Sequence, residues 1–332
     1  MFITGDYNRR SYNCYSGNVC YLLERKGFLL SEHMSFGMCG GLSFQFELSD
    51  SVKFRAVREL HCLTEYLYNL GMKIVEKQSN EFDDFCNQIK ISISNDMPFM
   101  FHYDGFYFPF TQIYKKTHER RIALVTGFDD LCFFVSDFIY GVYDVEVNLD
   151  VFRQATDKFK GACVNYTYYD VLTEELDRNT VNGSNIWNSI GDVSNHFLRE
   201  ESENILVGIK GLREIYSAIS ACLERNENAI DWADFSEDIN QAVITLDHYG
   251  LFLEEIACKQ LVQEKYIEKI LTCSKLFMEA SDMWQIVTRL FFKLSVNSSE
   301  KTIERIKINI DKTADILEQA FTLLDEMVKE NV

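Results

Sequence analysis

The stretch Asn13-Cys-Tyr-Ser-Gly-Asn-Val-Cys-Tyr-Leu-Leu-Glu-Arg-Lys-Gly27 decides how the first half of the chain is read. From Gly17 to Glu24 apolar residues recur at helical spacing, and Asn13-Cys14-Tyr15-Ser16 precedes them, so Cys14 is expected at or near a helix start. Unpaired backbone amides at such a start favour negative charge, and a thiolate would be stabilised there. Working outward, Gly37-Met-Cys-Gly-Gly41 supplies a turn, and Leu42-Ser-Phe-Gln-Phe46 alternates as a strand does. Residues 54–70 read as a helix through Val57, Leu60, Leu63 and Leu67, and residues 81–94 as another. Three strands are expected at 98–107, 121–128 and 132–137, the last two joined by the turn-forming Asp129-Asp130. The charge-free run Ile122-Ala-Leu-Val-Thr126 marks the central one. Between the first two lies Lys115-Lys-Thr-His-Glu-Arg-Arg121, the most basic segment in the chain, read as a loop running into a strand.

After about residue 170 the texture changes to long helical patterns in which Gly is rare and Pro absent. Helices are expected near 185–199, 203–225, 236–258, 260–295 and 299–330. In the last, Ile303, Ile306, Ile310, Ile316, Leu317, Phe321, Leu324 and Val328 recur at spacings that give one buried face, and Asn297-Ser298-Ser299 supplies the cap before it. The fold class is therefore α+β, with a mixed domain over 1–170 followed by an all-helical bundle or cap domain over 171–332.

Composition narrows the function. The 332 residues are 47% apolar and 25% charged, in the ordinary globular range, and 26 Phe and 17 Tyr against 2 Pro favour packed aromatic layers and long helices. A net charge of −18 argues against a phosphate-tracking nucleic-acid binder and leaves room for a cationic ligand. The start MFITGDYNRR lacks the apolar run of a signal peptide, and no charge-free apolar stretch approaches the ~18 residues a membrane span needs. A cytoplasmic protein off the membrane is expected, with its ten cysteines mostly reduced and mostly small core residues. No CxxC occurs, and His61 with Cys62 has no carboxylate at ligand spacing, so no metal and no bound cofactor are expected.

Acyl chemistry by a cysteine needs a thiolate, a base close to it, a group to orient the base, and donors for the oxyanion. The first half offers Cys14 at the proposed helix start, His118 just before a strand, and Asp137 at the end of the next. On spacing alone these residues read equally as a buried thiol, a solvated loop imidazole and a strand-end cap. His33 and His102 read as turn or core residues, and the Gly37 to Gly41 turn lacks the Lys-Ser or Lys-Thr of a nucleotide loop.

A wider pattern adds to this. The segment from Asn13 to Gly27, followed by Leu30-Ser-Glu-His-Met-Ser-Phe-Gly-Met-Cys-Gly-Gly-Leu-Ser-Phe44, resembles the opening of the family of butirosin biosynthesis protein H. A cysteine before a helix, a Ser-Glu pair, a Phe-Gly-x-x-x-Gly turn and an aromatic strand correspond to Cys14, Ser31, Glu32, Phe36, Gly37 and Gly41. Tyr103-Asp-Gly-Phe-Tyr-Phe-Pro109 is similar to the family's Asp-x-x-Tyr-x-Pro turn, and Val125-Thr-Gly-Phe-Asp-Asp130 to its Gly-Tyr-Asp turn. The resemblance continues weakly at His248-Tyr-Gly-Leu-Phe-Leu-Glu-Glu-Ile-Ala257 and around Trp284.

The resemblance implies a papain-like cysteine-peptidase fold turned to acyl transfer in secondary-metabolite biosynthesis. Cys14 would take an acyl group from the phosphopantetheine thioester of an acyl carrier protein, Asp137 would orient the base, and a small-molecule amine would accept, giving an amide. Ser31 and Glu32 would line the substrate side. The histidine departs from the pattern: the strand-start register that carries it in the family holds Arg121 here, with His118 three residues earlier. His118 reaching Cys14, His102 doing so, and an altered or inactive site all stay open. The basic Lys115, Lys116, Arg120 and Arg121 would attract the acidic face or phosphate of the carrier, or form only a solvated loop. Two other functions stand beside acyl transfer: a peptidase or amidohydrolase of the same fold, and a non-catalytic member that binds a carrier protein or peptide.

Overall fold

Phe99, Phe101 and Tyr103 alternate with Met100, His102 and Asp104 along β4 (Phe99–Asp104), and all six are buried, so both faces of this strand are covered. The same holds for the middle of β5 (Arg120–Phe128), the strand marked as central by its charge-free run. The structure, a computed structural model, describes residues 3, 10–48, 52–57, 72–157, 161–173, 181–199, 205–225, 230–297 and 299–331. Two compact units account for it. One is formed by Met1–Glu32 with Leu67–Arg178, the other by His33–Tyr66 with Asn179–Val332.

In the first unit β3 (Met72–Gln78), β4, β5, β6 (Cys132–Asp137), β7 (Val142–Asn148) and β8 (Thr167–Thr173) form a six-stranded antiparallel sheet in the order β3-β8-β4-β5-β6-β7. One face carries Phe101, Ala123, Val125, Phe133 and Val135 against Phe85 and Ile89 of α3 (Phe82–Ser94) and Phe152 of α4 (Leu149–Thr156). Phe152 meets Phe133 at 4.6 Å and Phe101 at 5.1 Å between ring centroids, and truncating such a ring to Ala costs about 3–5 kcal/mol. The other face receives α1 (Cys14–Arg25): Asn18 reaches the Ile122 carbonyl of β5, and Tyr15 packs edge-on to Tyr169 of β8 at 5.4 Å.

In the second unit α2 (Glu32–Met38) runs into β1 (Leu42–Leu48), which pairs with β2 (Val52–Val57) on one side and β9 (Ile205–Val207) on the other. Residues 54–57, expected to begin a helix over 54–70, thus belong to a strand, while His61 and Cys62 lie outside the described residues. Helices α5 (Gly183–Arg199), α6 (Gly208–Arg225), α7 (Trp232–Cys258), α8 (Glu264–Val296) and α9 (Glu300–Asn331) follow. Ser299 caps α9 by accepting from the Thr302 amide, and Ile306, Ile310, Leu317, Phe321 and Leu324 form its buried face.

The division of the chain differs from a single cut near residue 170. The segment 33–66 goes with the helices because β1 has its partner strand at 205–207 and its aromatic side chains among theirs. Phe44 meets Trp284 of α8 at 5.0 Å, Ser43 hydrogen-bonds His196 of α5, and the Gly37 carbonyl accepts from Ser189.

Candidate active site

The chain enters α1 through a loop held by one buried carboxylate. Glu32 accepts from the Asn13 amide at 2.7 Å and the Ser16 hydroxyl at 2.6 Å with one oxygen, and from the Tyr12 amide at 2.9 Å and the Ser11 hydroxyl at 2.8 Å with the other. Charge-assisted bonds of this kind are about twice as strong as neutral ones. Gly17 makes room for the loop, since a Cβ there would lie 1.6 Å from the Ser11 hydroxyl. Asn13, in extended conformation, is the N-cap, and its side-chain oxygen accepts from Tyr15 and Ser16. Cys14 is therefore the first residue of the helix, as its sequence context predicts.

Asn18 then fixes the Cys14 backbone against the sheet. Its amide nitrogen donates to the Cys14 carbonyl at 2.7 Å and to the Ile122 carbonyl at 3.4 Å, which puts Cys14 beside the residue that follows Arg121. The Ser11 amide donates to the Phe138 carbonyl, tying the same loop to the end of β6 next to Asp137. Cys14 is half-buried, and burial pushes its thiol above the ordinary value; the Arg121 guanidinium opposes this, while Asp137 adds to it. The backbone N–H of Ile122 also faces the sulfur.

Tyr103 sits opposite Arg121 across the β4–β5 ladder and reaches past it to donate to Asp137 at 2.6 Å, while the other Asp137 oxygen accepts from the amides of Ile139 and Tyr140. Burial raises the Asp137 carboxyl above its ordinary value against the pull of Tyr103, Arg121 and these amides. Arg121 lies with its guanidinium over the Tyr140 ring at 4.8 Å and bonds Glu119 at 2.7 Å. Burial works against its charge, but Tyr103, Tyr140, Cys14 and Glu119 hold it firmly protonated.

Cys14 at a helix start and the buried Asp137 at the end of β6 both lie in a stretch that matches a family model. The family model described as butirosin biosynthesis protein H, N-terminal, matches residues 13–138, from the N-cap of α1 to the residue after Asp137. This part of the chain is similar to that family's N-terminal domain. No curated protein matches the chain.

Within residues 13–138 the structure brings together Cys14, Arg121 and Asp137, and places His118 elsewhere. His118 donates through Nδ1 to the Asp104 carboxylate at 2.7 Å, and its ring stacks on Phe106 at 4.2 Å. Asp104 is fully buried and also takes the amides of Phe106, Glu119 and Ala162. The expected pairing of His118 with Asp137 is thus corrected: each has a different partner, His118 with Asp104 and Asp137 with Tyr103. His102 is no substitute, because Arg120 donates to its Nδ1 at 3.0 Å, Tyr169 takes its Nε2, and burial, with Arg120 next, lowers its pKa to about 4.

The remaining residues of the domain's expected surface divide. Glu32, expected on the substrate side, is occupied by the Cys14 loop. Arg120 is paired with Glu76 and Arg121 with Glu119, so the basic segment presents chiefly Lys115, over the Tyr114 ring, and Lys116. Ser31 precedes α2 and is half-buried. His33, in the second unit, pairs with Glu255 at 2.8 Å. Sequence reasoning missed Tyr103 and Tyr140, whose parts depend on the strand order. Among the described residues one group, Asp129, Cys132 and Glu146, brings three metal-ligating atoms within 4.8 Å of one another. No described helix is long and apolar enough to cross a membrane.

Proposed function

We propose that this protein is a cysteine-dependent acyltransferase of secondary-metabolite biosynthesis, built on a papain-like domain. It moves an acyl group from the phosphopantetheine thioester of an acyl carrier protein to an amine acceptor and forms an amide. Cys14 is the residue acylated, and Asp137 with Tyr103 sets the polar floor of the site. The observation that carries the reading is the placement of the Cys14 sulfur at the first residue of α1, with a guanidinium and a carboxylate acting on it. The family match over 13–138 supports the biosynthetic setting. In this reading His118 is not the base, and Lys115 and Lys116 remain for an anionic partner.

A second reading is a non-catalytic carrier- or peptide-binding protein, favoured by one feature: a side chain that cannot accept a proton near neutral pH stands where the resemblance expects an imidazole. Intact-protein mass spectrometry with a panel of acyl-pantetheine thioesters separates the two. Acyl transfer predicts an adduct on the wild-type chain that is absent from Cys14→Ala and is discharged to an amide by amines. No adduct with any thioester would favour the binding protein, and free acid formed without an amine would favour a hydrolase.

A further inference from the structure

We infer that Arg121 is a catalytic residue of a different kind from the imidazole it replaces: a fixed cation that bears the negative charge formed on the acyl carbonyl at Cys14, in a site where His118 and His102 are both engaged elsewhere. The inference rests on the acyl-transfer reading above and adds how the site works and which donors it accepts.

The donors around Cys14 lead to it. Of the first-turn amides after Cys14, those of Tyr15 and Ser16 are taken by the Asn13 side chain and that of Gly17 by the Asn13 carbonyl, which leaves the backbone N–H groups of Cys14 and Ile122 to act together with Arg121. The Arg121 side chain is 14% exposed, and its Nε is buried without an acceptor among the described residues. A buried charged donor left unmade is costly, about 1–3 kcal/mol or more, and an oxyanion at Cys14 would satisfy it. The guanidinium is held from two sides, over the Tyr140 ring at 4.8 Å and on Glu119 at 2.7 Å. Gly105 is bare where the Arg121 stem passes, since a Cβ there would lie 3.2 Å from its Cδ.

The chemistry balances without a base. The Cys14 sulfur attacks the thioester carbonyl and forms a new carbon–sulfur bond; the carbon–sulfur bond to the donor breaks, and the Cys14 thiol proton leaves with the departing thiol. In the second step a neutral amine attacks, the carbon–sulfur bond to Cys14 breaks, and one amine proton returns to the sulfur. Arg121 keeps its protons throughout. Oxoesters and amides, whose leaving groups need a proton delivered as they depart, are excluded as donors, so Arg121 also determines specificity.

The test uses the full chain with matched acyl-pantetheine thioester, oxoester and amide donors, read by stopped-time intact mass. The expected results are acylation by the thioester alone, and a fall of about 10²–10³-fold in its kcat for Arg121→Gln with KM little changed. Arg121→Lys should recover part of the rate, which a loss of folding alone would not allow. The wild-type rate should show no limb titrating near the ordinary imidazole range, about pH 6.5, and Arg121→His should introduce one. Acylation of Arg121→Gln at the wild-type rate, or an imidazole limb abolished by His118→Ala, would overturn the inference while leaving the acyltransferase standing. No acylation of the wild-type chain would remove the acyltransferase reading itself.

Discussion

Replacing Glu32 by Ala removes the one carboxylate shared by four donors on the loop that delivers Cys14 to its helix. The two hydroxyls can turn elsewhere, and that of Ser11 already reaches the Asn13 carbonyl at 2.9 Å. The amides of Tyr12 and Asn13 cannot. Leaving a buried donor unmade costs about 1–3 kcal/mol, so two part-buried amides set the expected loss at about 2–4 kcal/mol. Glu32→Gln keeps one acceptor oxygen but turns an NH2 group toward one of the amides, and should lose about 1–2 kcal/mol. The assay is equilibrium urea unfolding followed by far-UV circular dichroism, since Trp187, Trp232 and Trp284 all belong to the second unit and their fluorescence reports on it. A loss below about 0.5 kcal/mol for Glu32→Ala, or equal losses for Ala and Gln, would refute the clamp.

Tyr103→Phe deletes the 2.6 Å bond to Asp137 and should cost about 1.5–3 kcal/mol while raising the Asp137 carboxyl further; urea unfolding and the carboxyl infrared band on titration check the two effects. His102, neutral in the fold with a pKa near 4 against about 6.5 unfolded, binds fewer protons folded than unfolded. Stability should therefore fall as pH drops below 6.5 and level off below 4, by about 3 kcal/mol from this residue, and His102→Gln should flatten that part of the profile. Parallel profiles would contradict it. Gly37→Ala puts a Cβ 2.0 Å from the Phe252 ring within the second unit and should destabilise it by about 1–3 kcal/mol, read by tryptophan fluorescence; a neutral effect would mean the ring gives way freely.

What could be read from the sequence follows physical signal strength. The run Ile122 to Thr126 is buried on both faces of a central strand and carries no charge, so its sequence is unambiguous. The two sheet edges are different. β3, Met-Lys-Ile-Val-Glu-Lys-Gln, has three charged residues in seven, and β7 has one buried residue, so neither carries a strand's hydrophobic signal; edge strands keep charges that discourage further pairing. Residues 33–66 read as part of the first domain because nothing local reveals that β1 pairs with residues 205–207. At the site, the helix start at Cys14 is visible in the chain itself, and the Arg121 register only through the resemblance. The partners were not: Asp104 meets His118, and Tyr103 meets Asp137, only because β4, β5 and β6 lie side by side in that order.

The most direct test of the central claim is peptide mapping of the chain after brief exposure to an acyl-pantetheine thioester and an acid quench. The account predicts the acyl mass on the peptide containing Cys14, with the solvent-exposed thiols Cys163 and Cys258 unmodified on the same timescale. Acyl groups distributed over the exposed cysteines, with Cys14 bare, would contradict it.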